Sequence, residues 1–288
     1  MPLQETEGIK TIAICGAGTM GNGIAQLAAQ AGFSTLLFDV QEAVLEQAQQ
    51  TIAKNLAYLL QKQKITKTDL HAITQRISYT HTLAHCKADV VIEAIVEKAE
   101  IKIALFKQLA AINEPTTLLA TNTSSLSVNA LQQHIPIPGR FAGMHFFNPP
   151  VIMKLVEIVS GAATLPTTAT RLYQLAQALG KTPVHCKDTP GFIVNRVARP
   201  YYLEAMRLLE ASAATMNQID EIMEATGFKM GPFKLMDLIG LDINYSASQG
   251  VWQGLGQPER LKPAALQQAK VAQGHLGRKS GQGFYNYE

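Results

Sequence analysis

Residues 10–21 read KTIAICGAGTMG, an apolar run that ends directly at three glycines with the spacing G-x-G-x-x-G. The run from Lys10 to Cys15 has the length and composition of a buried β-strand. An alanine-rich stretch from Met20 to Ala31 follows and is closed by Gly32, as expected for a helix and its C-terminal stop. The segment therefore predicts a strand, a tight turn and a helix in succession.

The three glycines of the turn each have a physical reason. Gly16 permits the tight turn, Gly18 lets the backbone approach a phosphate, and Gly21 allows the helix to pack closely on the strand. Thr19 and Met20 complete the turn, and the helix N-terminus would face the phosphates of a ligand. In this context the pattern predicts a dinucleotide site, suited to NAD or to FAD, and the alternative is an ordinary flexible turn.

The acidic residue of such a site is expected at the end of the next strand. Thr35 to Phe38 is a second apolar run, and Asp39 follows 23 residues after Gly16, close to the usual ~20. A carboxylate there would bind ribose hydroxyls and repel a 2′-phosphate. The sequence thus predicts a βαβ unit that prefers NAD to NADP, and the alternative is a surface aspartate.

Strand-like and helical runs then alternate, which predicts an α/β protein with a Rossmann-type, doubly wound, mostly parallel sheet. The helical runs are residues 41–64, 100–112 and 170–179. The strand-like runs are residues 77–80, 88–95, 118–121, 141–144, 155–159 and 182–186. Beyond residues 187–191 the pattern is helical, so we predict an NAD-binding domain over 1–189 and a smaller all-helical domain over 190–288.

Composition restricts the class of protein further. The 288 residues are 47% hydrophobic and 16% charged, which is typical of a globular chain with two domains. The net charge of +3, without basic blocks, argues against nucleic-acid binding. Cys15, Cys86 and Cys186 lack metal-ligand spacing, so we expect reduced thiols and no metal site. The polar first ten residues and the absence of a membrane-length apolar run predict a soluble, cytoplasmic protein.

One of the seven histidines has the setting of a catalytic base. Hydride transfer from an alcohol to nicotinamide needs a group that takes the hydroxyl proton, and histidine suits this role. His145 ends the apolar run of FAGMHFFNPP, at the sheet edge where α/β enzymes place their sites. Glu157 lies in the apolar run MKLVEIVSG, where an unpaired carboxylate would be costly. A His–Glu dyad satisfies both residues, and the alternative is a core histidine and an exposed glutamate.

Six segments extend this pattern over nearly the whole chain. They read GAGTMGNGIAQLAAQAGF, TNTSSLS, MHFFNPPVIMKLVEIV, DTPGFIVNRV, GPFKLMDLIGLD and GRKSGQGFYNY, in this order. Together they resemble the L-3-hydroxyacyl-CoA dehydrogenase family, and its bacterial 3-hydroxybutyryl-CoA members look most similar. The resemblance implies a reversible, NAD-dependent oxidation of a short (S)-3-hydroxyacyl-CoA to the 3-oxoacyl-CoA.

The resemblance also implies roles for residues around the reacting atoms. His145 and Glu157 would be the catalytic pair, Ser124 would bond the substrate near its reacting oxygen, and Asn195 would position the acyl group. Without the resemblance, Ser124 is an ordinary helix N-cap and Asn195 a capping residue.

Cofactor and coenzyme A contacts are implied in the same way. Glu97, Lys102 and Asn122 would lie at the cofactor, although EKAEIK also reads as an ordinary charged helix start. Lys62 would meet the phosphates of coenzyme A, and the alternative is a solvated surface lysine. Asn55 departs from the pattern, because some family members have serine there.

The resemblance further implies that the helical domain binds substrate and forms a homodimer. One rival interpretation is a hydroxy-acid or sugar-acid dehydrogenase of the same fold. A second is a catalytically silent NAD-binding protein, against which Ser124, His145, Glu157 and Asn195 together argue.

Overall fold

A computed structural model of the chain describes residues 8–287. The chain divides into two compact units, with the boundary between Asp188 and Thr189. Residues 1–7, which carry most of the prediction about a secretory signal, lie outside the described residues. Within the described part, no helix combines the length and the apolar composition needed to cross a membrane.

From residue 8 onward, the first unit forms one eight-stranded sheet. Its strands are β1 Thr11–Cys15, β2 Ser34–Phe38, β3 Ile77–Thr80, β4 Val90–Glu93, β5 Leu118–Thr121, β6 Phe141–Phe146, β7 Leu155–Ser160 and β8 Thr182–Lys187. Their order in the sheet is β3-β2-β1-β4-β5-β6-β7-β8. The first six of these are parallel, whereas β7 runs antiparallel to β6 and β8 is parallel to β7. The predicted doubly wound, mostly parallel sheet is confirmed.

In the described part of the first unit, six α-helices accompany this sheet. They are α1 Thr19–Gln30, α2 Glu42–Gln61, α3 Lys67–Gln75, α4 Ala99–Ile112, α5 Val128–Gln132 and α6 Pro166–Ala178. Sequence analysis did not predict α3, which follows a positive-φ residue at Gln63 (φ 54°). There Thr66 and Asp69 form a capping box that starts the helix.

The core of the first unit surrounds the central strands. All four residues of β4 and of β5 are buried, as is usual for parallel strands covered on both faces. The carboxyl ends of β1, β4 and β5 meet at one edge, because Cys15 pairs with Glu93 and Glu93 pairs with Thr121. The glycine turn follows β1 at this edge, and the predicted residues Asn122 and Ser124 follow β5 there.

The second unit is helical, as the sequence predicts. Its helices are α7 Val194–Glu210, α8 Met216–Ala225, α9 Pro232–Ile239, α10 Leu241–Gly254 and α11 Ala265–Ala272. Leu203, Met206 and Phe233 belong to its own apolar core. In its described residues the β-structure is limited to isolated bridges at 277–282 and 282–286.

Candidate active site

The glycine turn joins β1 to α1 in the predicted order. Gly16 has φ +104°, and a Cβ there would collide with the backbone of Ala94. A Cβ on Gly21 would overlap the carbonyl oxygen of Gly16. Gly18 is exposed and has no atom within 4 Å of a Cβ position. Two glycines are therefore required by packing, and the third keeps space open in front of the helix N-terminus.

Asp39 connects this turn to the end of β2. Its Oδ2 accepts a hydrogen bond from the backbone N–H of Ala17 at 2.9 Å, and its Oδ1 accepts one from Gln41 at 3.0 Å. The carboxylate thus lies beside the glycine turn. Open backbone at Gly18, a helix N-terminus at Thr19 and a carboxylate at Asp39 together fit a dinucleotide without a 2′-phosphate.

A cleft of about 520 Å³ adjoins the glycine turn. Its lining includes Gly18 and Thr19, the α2 residue Asn55, and the turn that follows β6 at Asn148. Asn148 was missed by sequence analysis. Lys62 directly follows α2, seven residues after Asn55, and its Nζ lies 5.6 Å from the ring centroid of Tyr58. Its contact with coenzyme A phosphate stays a prediction.

The antiparallel pairing of β6 and β7 brings the predicted dyad together. His145 and Glu157 are direct cross-strand partners, and His145 Nδ1 lies 2.7 Å from Glu157 Oε2. Glu157 is fully buried and His145 is 5% exposed. An ionised carboxylate can only accept, so it selects the tautomer with the proton on Nδ1. The lone pair is then on Nε2, the form in which histidine accepts a proton.

Asn122, which directly follows β5, is hydrogen-bonded to the residue after His145. The Oδ1 of Asn122 accepts a hydrogen bond from the backbone N–H of Phe146 at 2.9 Å, which extends the β5–β6 pairing. Ser124 is exposed, two residues further on. The N-cap of α5 is Ser127 and not Ser124, so capping of this helix does not explain Ser124.

Glu97 and Lys102 form one electrostatic cluster with the buried Glu93. Lys102 Nζ lies 2.5 Å from Glu93 Oε1 and 3.1 Å from Glu97 Oε2, and its side chain is 1% exposed. Burial raises the pKa of Glu93, and Lys102 opposes that rise. Burial also acts to raise the pKa of Glu97, but the attraction of Lys102 and the hydrogen bond from Thr123 outweigh it, so the net shift is downward.

Asn195 belongs to the second unit, in the first turn of α7. Its backbone carbonyl accepts a hydrogen bond from Nε of Arg199 at 2.8 Å. Its role at the substrate stays a prediction. In the described residues no three His, Cys, Asp or Glu side chains form a group that could hold a metal ion.

Comparison with known proteins adds the family. Residues 11–189 match the model of the 3-hydroxyacyl-CoA dehydrogenase NAD binding domain, and residues 191–287 match that of the C-terminal domain. The chain belongs to the 3-hydroxyacyl-CoA dehydrogenase family. Membership confirms the resemblance seen in the sequence and identifies NAD as the cofactor that the glycine turn and Asp39 would hold.

Relatives of known name cover this chain almost completely. The chain is 46% identical to 3-hydroxyadipyl-CoA dehydrogenase of Escherichia coli K12 over 97% of its own length, but spans only 59% of that protein. It is 43% identical to the probable 3-hydroxybutyryl-CoA dehydrogenase of Bacillus subtilis, covering 97% of this chain and 98% of that one. The crystal structure of (S)-3-hydroxybutyryl-CoA dehydrogenase from Ralstonia eutropha matches with TM-score 0.94 and 37% identity, covering 98% of this chain and 100% of that one.

Proposed function

We propose that this protein oxidises the 3-hydroxyl group of a short-chain (S)-3-hydroxyacyl-CoA to the ketone, reversibly and with NAD. The observation that carries the proposal is the buried His145–Glu157 pair, in which Nδ1 lies 2.7 Å from Oε2. The pair lies at the sheet edge that also holds the glycine turn. Family membership and the names of the relatives support the same reaction.

His145 is the general base of the proposed reaction. With its Nδ1 proton directed to Glu157, His145 accepts the substrate hydroxyl proton at Nε2 during oxidation and returns it during reduction. Glu157 holds the ring and stabilises the imidazolium that forms. NAD, when bound, supplies the acceptor for the hydride that leaves C3.

Ser124 and Asn195 hold the substrate in this proposal. Ser124 donates a hydrogen bond near the reacting oxygen, and Asn195 positions the acyl group. Glu97, Lys102 and Asn122 form the side of the site next to the cofactor, and Lys62 meets a phosphate of coenzyme A.

The test is the consumption of NADH with 3-oxoacyl-CoA substrates. We expect turnover with acetoacetyl-CoA and a lower kcat/KM with longer acyl chains. Because the relative from E. coli is named for 3-hydroxyadipyl-CoA, 3-oxoadipyl-CoA belongs in the series. Absence of turnover with every acyl-CoA, while NADH still binds, would contradict the proposed function and favour a silent NAD-binding protein.

The variant His145→Gln separates chemistry from folding. We expect it to bind NADH normally and to lose about 10²- to 10⁴-fold in kcat, because the proton acceptor is gone. The control is His185→Gln, since His185 is exposed on β8 and stacks on Tyr173. This control should keep wild-type turnover.

A further inference from the structure

We infer, on the basis of the proposed function, that Glu93 is a positioning residue that fixes the substrate-binding turn of Ser124 through Lys102 and Glu97. The proposed reaction assigns Glu93 no contact with the substrate or with NAD. Glu93 is the fully buried last residue of β4, and the other three residues of this strand are apolar. A buried carboxylate is costly unless its oxygens are paired, so its contacts indicate what it does.

The contacts of Glu93 join three elements of the first unit. Its Oε2 accepts a hydrogen bond from the hydroxyl of Thr121 at the end of β5 at 2.6 Å. Its Oε1 accepts from the backbone N–H of Ile95 at 2.7 Å and lies 2.5 Å from Lys102 Nζ on α4. Both oxygens are therefore engaged, and the carboxylate is held in one orientation.

Lys102 is held in turn by two carboxylates. The ammonium group is buried between Glu93 and Glu97, and removal of either partner would leave a buried charge incompletely paired. Glu93 is the buried partner, whereas the Glu97 side chain is 36% exposed. We therefore expect the buried carboxylate of Glu93, more than Glu97, to fix the position of the Lys102 ammonium group.

Glu97 uses its two oxygens for different purposes. Oε2 pairs with Lys102, which leaves Oε1 to accept hydrogen bonds from the turn after β5. These come from the hydroxyls of Thr123 at 2.5 Å and Ser125 at 3.1 Å, and from the backbone N–H groups of Ser124 at 2.9 Å and Ser125 at 3.2 Å. A single carboxylate oxygen thus accepts several hydrogen bonds from the turn that contains Ser124 and holds this turn in place.

The chain of contacts runs from Glu93 to Lys102, then to Glu97, then to Ser124. Without the Glu93 charge, Lys102 is paired with Glu97 alone and is drawn away from β4. The Glu97 carboxylate would then shift together with the Lys102 ammonium group, and its hydrogen bonds from Ser124 and Ser125 would lengthen. Glu93 acts on the reaction through this displacement and not by contact with the substrate.

The experiment compares Glu93→Gln with Asp89→Asn. Glu93 is the last residue of β4, whereas Asp89 directly precedes the first. Asp89 accepts hydrogen bonds from Lys10 and Thr11, away from the carboxyl edge. The first readout is residue-resolved amide hydrogen exchange of Ser124 and Ser125. We expect exchange to be about tenfold faster in Glu93→Gln, and unchanged in Asp89→Asn.

The second readout is a double-mutant cycle in kcat with Ser124→Ala. In the Glu93→Gln background, we expect the loss caused by Ser124→Ala to be at least about threefold smaller than in the wild type, because Ser124 is already displaced. In the Asp89→Asn background the loss should match that of the wild type. A residue that only stabilised the fold would leave the two effects multiplicative.

Unchanged exchange at Ser124 and Ser125, or multiplicative effects on kcat, would overturn the role of Glu93. If the wild type turns over no acyl-CoA, the proposed function fails, and the exchange readout alone decides the role of Glu93. If Glu93→Gln does not fold, Thr121→Val removes the hydroxyl that holds Glu93 Oε2 and keeps the charges. It should shift the exchange in the same direction by a smaller factor.

Discussion

The imidazole of His145 and the carboxylate of Glu157 are fixed by backbone pairing as well as by their own contact. They are cross-strand partners on β6 and β7, so the hairpin itself sets the spacing of the two side chains. The only freedom that remains is in the side-chain torsions, and burial restricts those. A substitution at Glu157 can therefore change its charge and the tautomer of His145 without changing the backbone.

Glu157→Gln tests the charge at constant shape. We expect kcat to fall by at least about 10²-fold, because an amide cannot stabilise the imidazolium and can also donate to Nδ1 and favour the wrong tautomer. NADH affinity should stay at the wild-type value. Steady-state kinetics with a direct NADH titration measures both, and a kcat near that of the wild type would contradict the dyad.

Lys181 is a buried residue that the sequence did not indicate as important. Its side chain is buried, and its Nζ donates to the carbonyl of Pro150 at 2.5 Å and to that of Met153 at 2.8 Å. It thereby anchors the turn between β6 and β7. Burial lowers the pKa of Lys181 to about 8, with a further contribution from Lys154.

This pKa gives a signed dependence of stability on pH. Lysine in the unfolded chain titrates near ~10.4, so between about pH 8 and pH 10 the unfolded state holds the extra proton. The contribution of Lys181 to the free energy of unfolding therefore increases with pH in that window, by at most about 1.4 kcal/mol per pH unit. Below the folded pKa, both states are protonated and this contribution is constant.

Urea denaturation of Lys181→Met across pH 7 to 10 checks this prediction. Relative to the wild type, the variant should lose the upward slope above about pH 8 and show the same slope below it. Lys187→Met is the control, because Lys187 is an exposed lysine on the same strand, β8. Equal slopes in Lys181→Met and the wild type would show that Lys181 is not buried as an ammonium group.

At the scale of elements, β1, the glycine turn and α1 act as a unit whose glycines have different roles. Gly18→Ala places a methyl group in open space, so we expect normal stability and an NADH affinity reduced by about tenfold or more, since the pyrophosphate needs that space. Gly21→Ala forces the helix away from Gly16, so we expect a loss of about 1–3 kcal/mol in the free energy of unfolding.

Thermal denaturation and NADH titration of both variants distinguish these effects. Each variant is the control for the other, because both add a single methyl group to the same turn. A destabilised Gly18→Ala, or a Gly21→Ala of wild-type stability, would contradict the division between a ligand-facing and a packing glycine.

The strand pattern itself was predictable at this scale, and its directions were not. Short apolar runs located all eight strands, because strands buried in a parallel sheet are continuous apolar segments. The reversal at β7 produces no such signal, since an apolar run reads the same in either direction. The turn sequence NPPVIMK between the two strands was the available hint of a hairpin.

At the scale of the whole molecule, exposed apolar side chains concentrate in the second unit. Among residues 8–287, fifteen large hydrophobic side chains are exposed, and eight of them lie in this unit of 100 residues. They are Ile193, Val197, Leu208, Ile222, Phe228, Leu238, Ile239 and Ile243. Exposed apolar side chains that form a contiguous patch mark interaction sites, and the homodimer stays a prediction that such a patch would serve.

Ile222→Glu tests the homodimer. The wild type should have twice the chain mass of 31.3 kDa by light scattering. The variant should dissociate at a higher protein concentration than the wild type, because a charge replaces an exposed apolar side chain of the predicted contact. Val40→Glu adds the same charge to an exposed residue of the first unit and should stay dimeric. A monomeric wild type at micromolar concentration would contradict the homodimer.

The sequence by itself determined the fold class and NAD as the cofactor, and it predicts the preference against a 2′-phosphate. These depend on local patterns, namely glycine spacing, apolar periodicity and an aspartate at the end of the second strand, and local patterns can be read along the chain. The pairing of His145 with Glu157 was expected from the cost of burying a carboxylate alone.

Only the tertiary structure decided how buried charges are arranged behind the candidate site. Glu93, Lys102 and Glu97 meet the turn of Ser124 because β4 and β5 are neighbours in the sheet and α4 follows β4. Lys181, which directly precedes β8, reaches the turn after β6 in the same way, because β7 and β8 are neighbours in the sheet. The physical reason is that a hydrogen bond or an ion pair depends on distance in space, and sheet order sets that distance independently of separation along the chain.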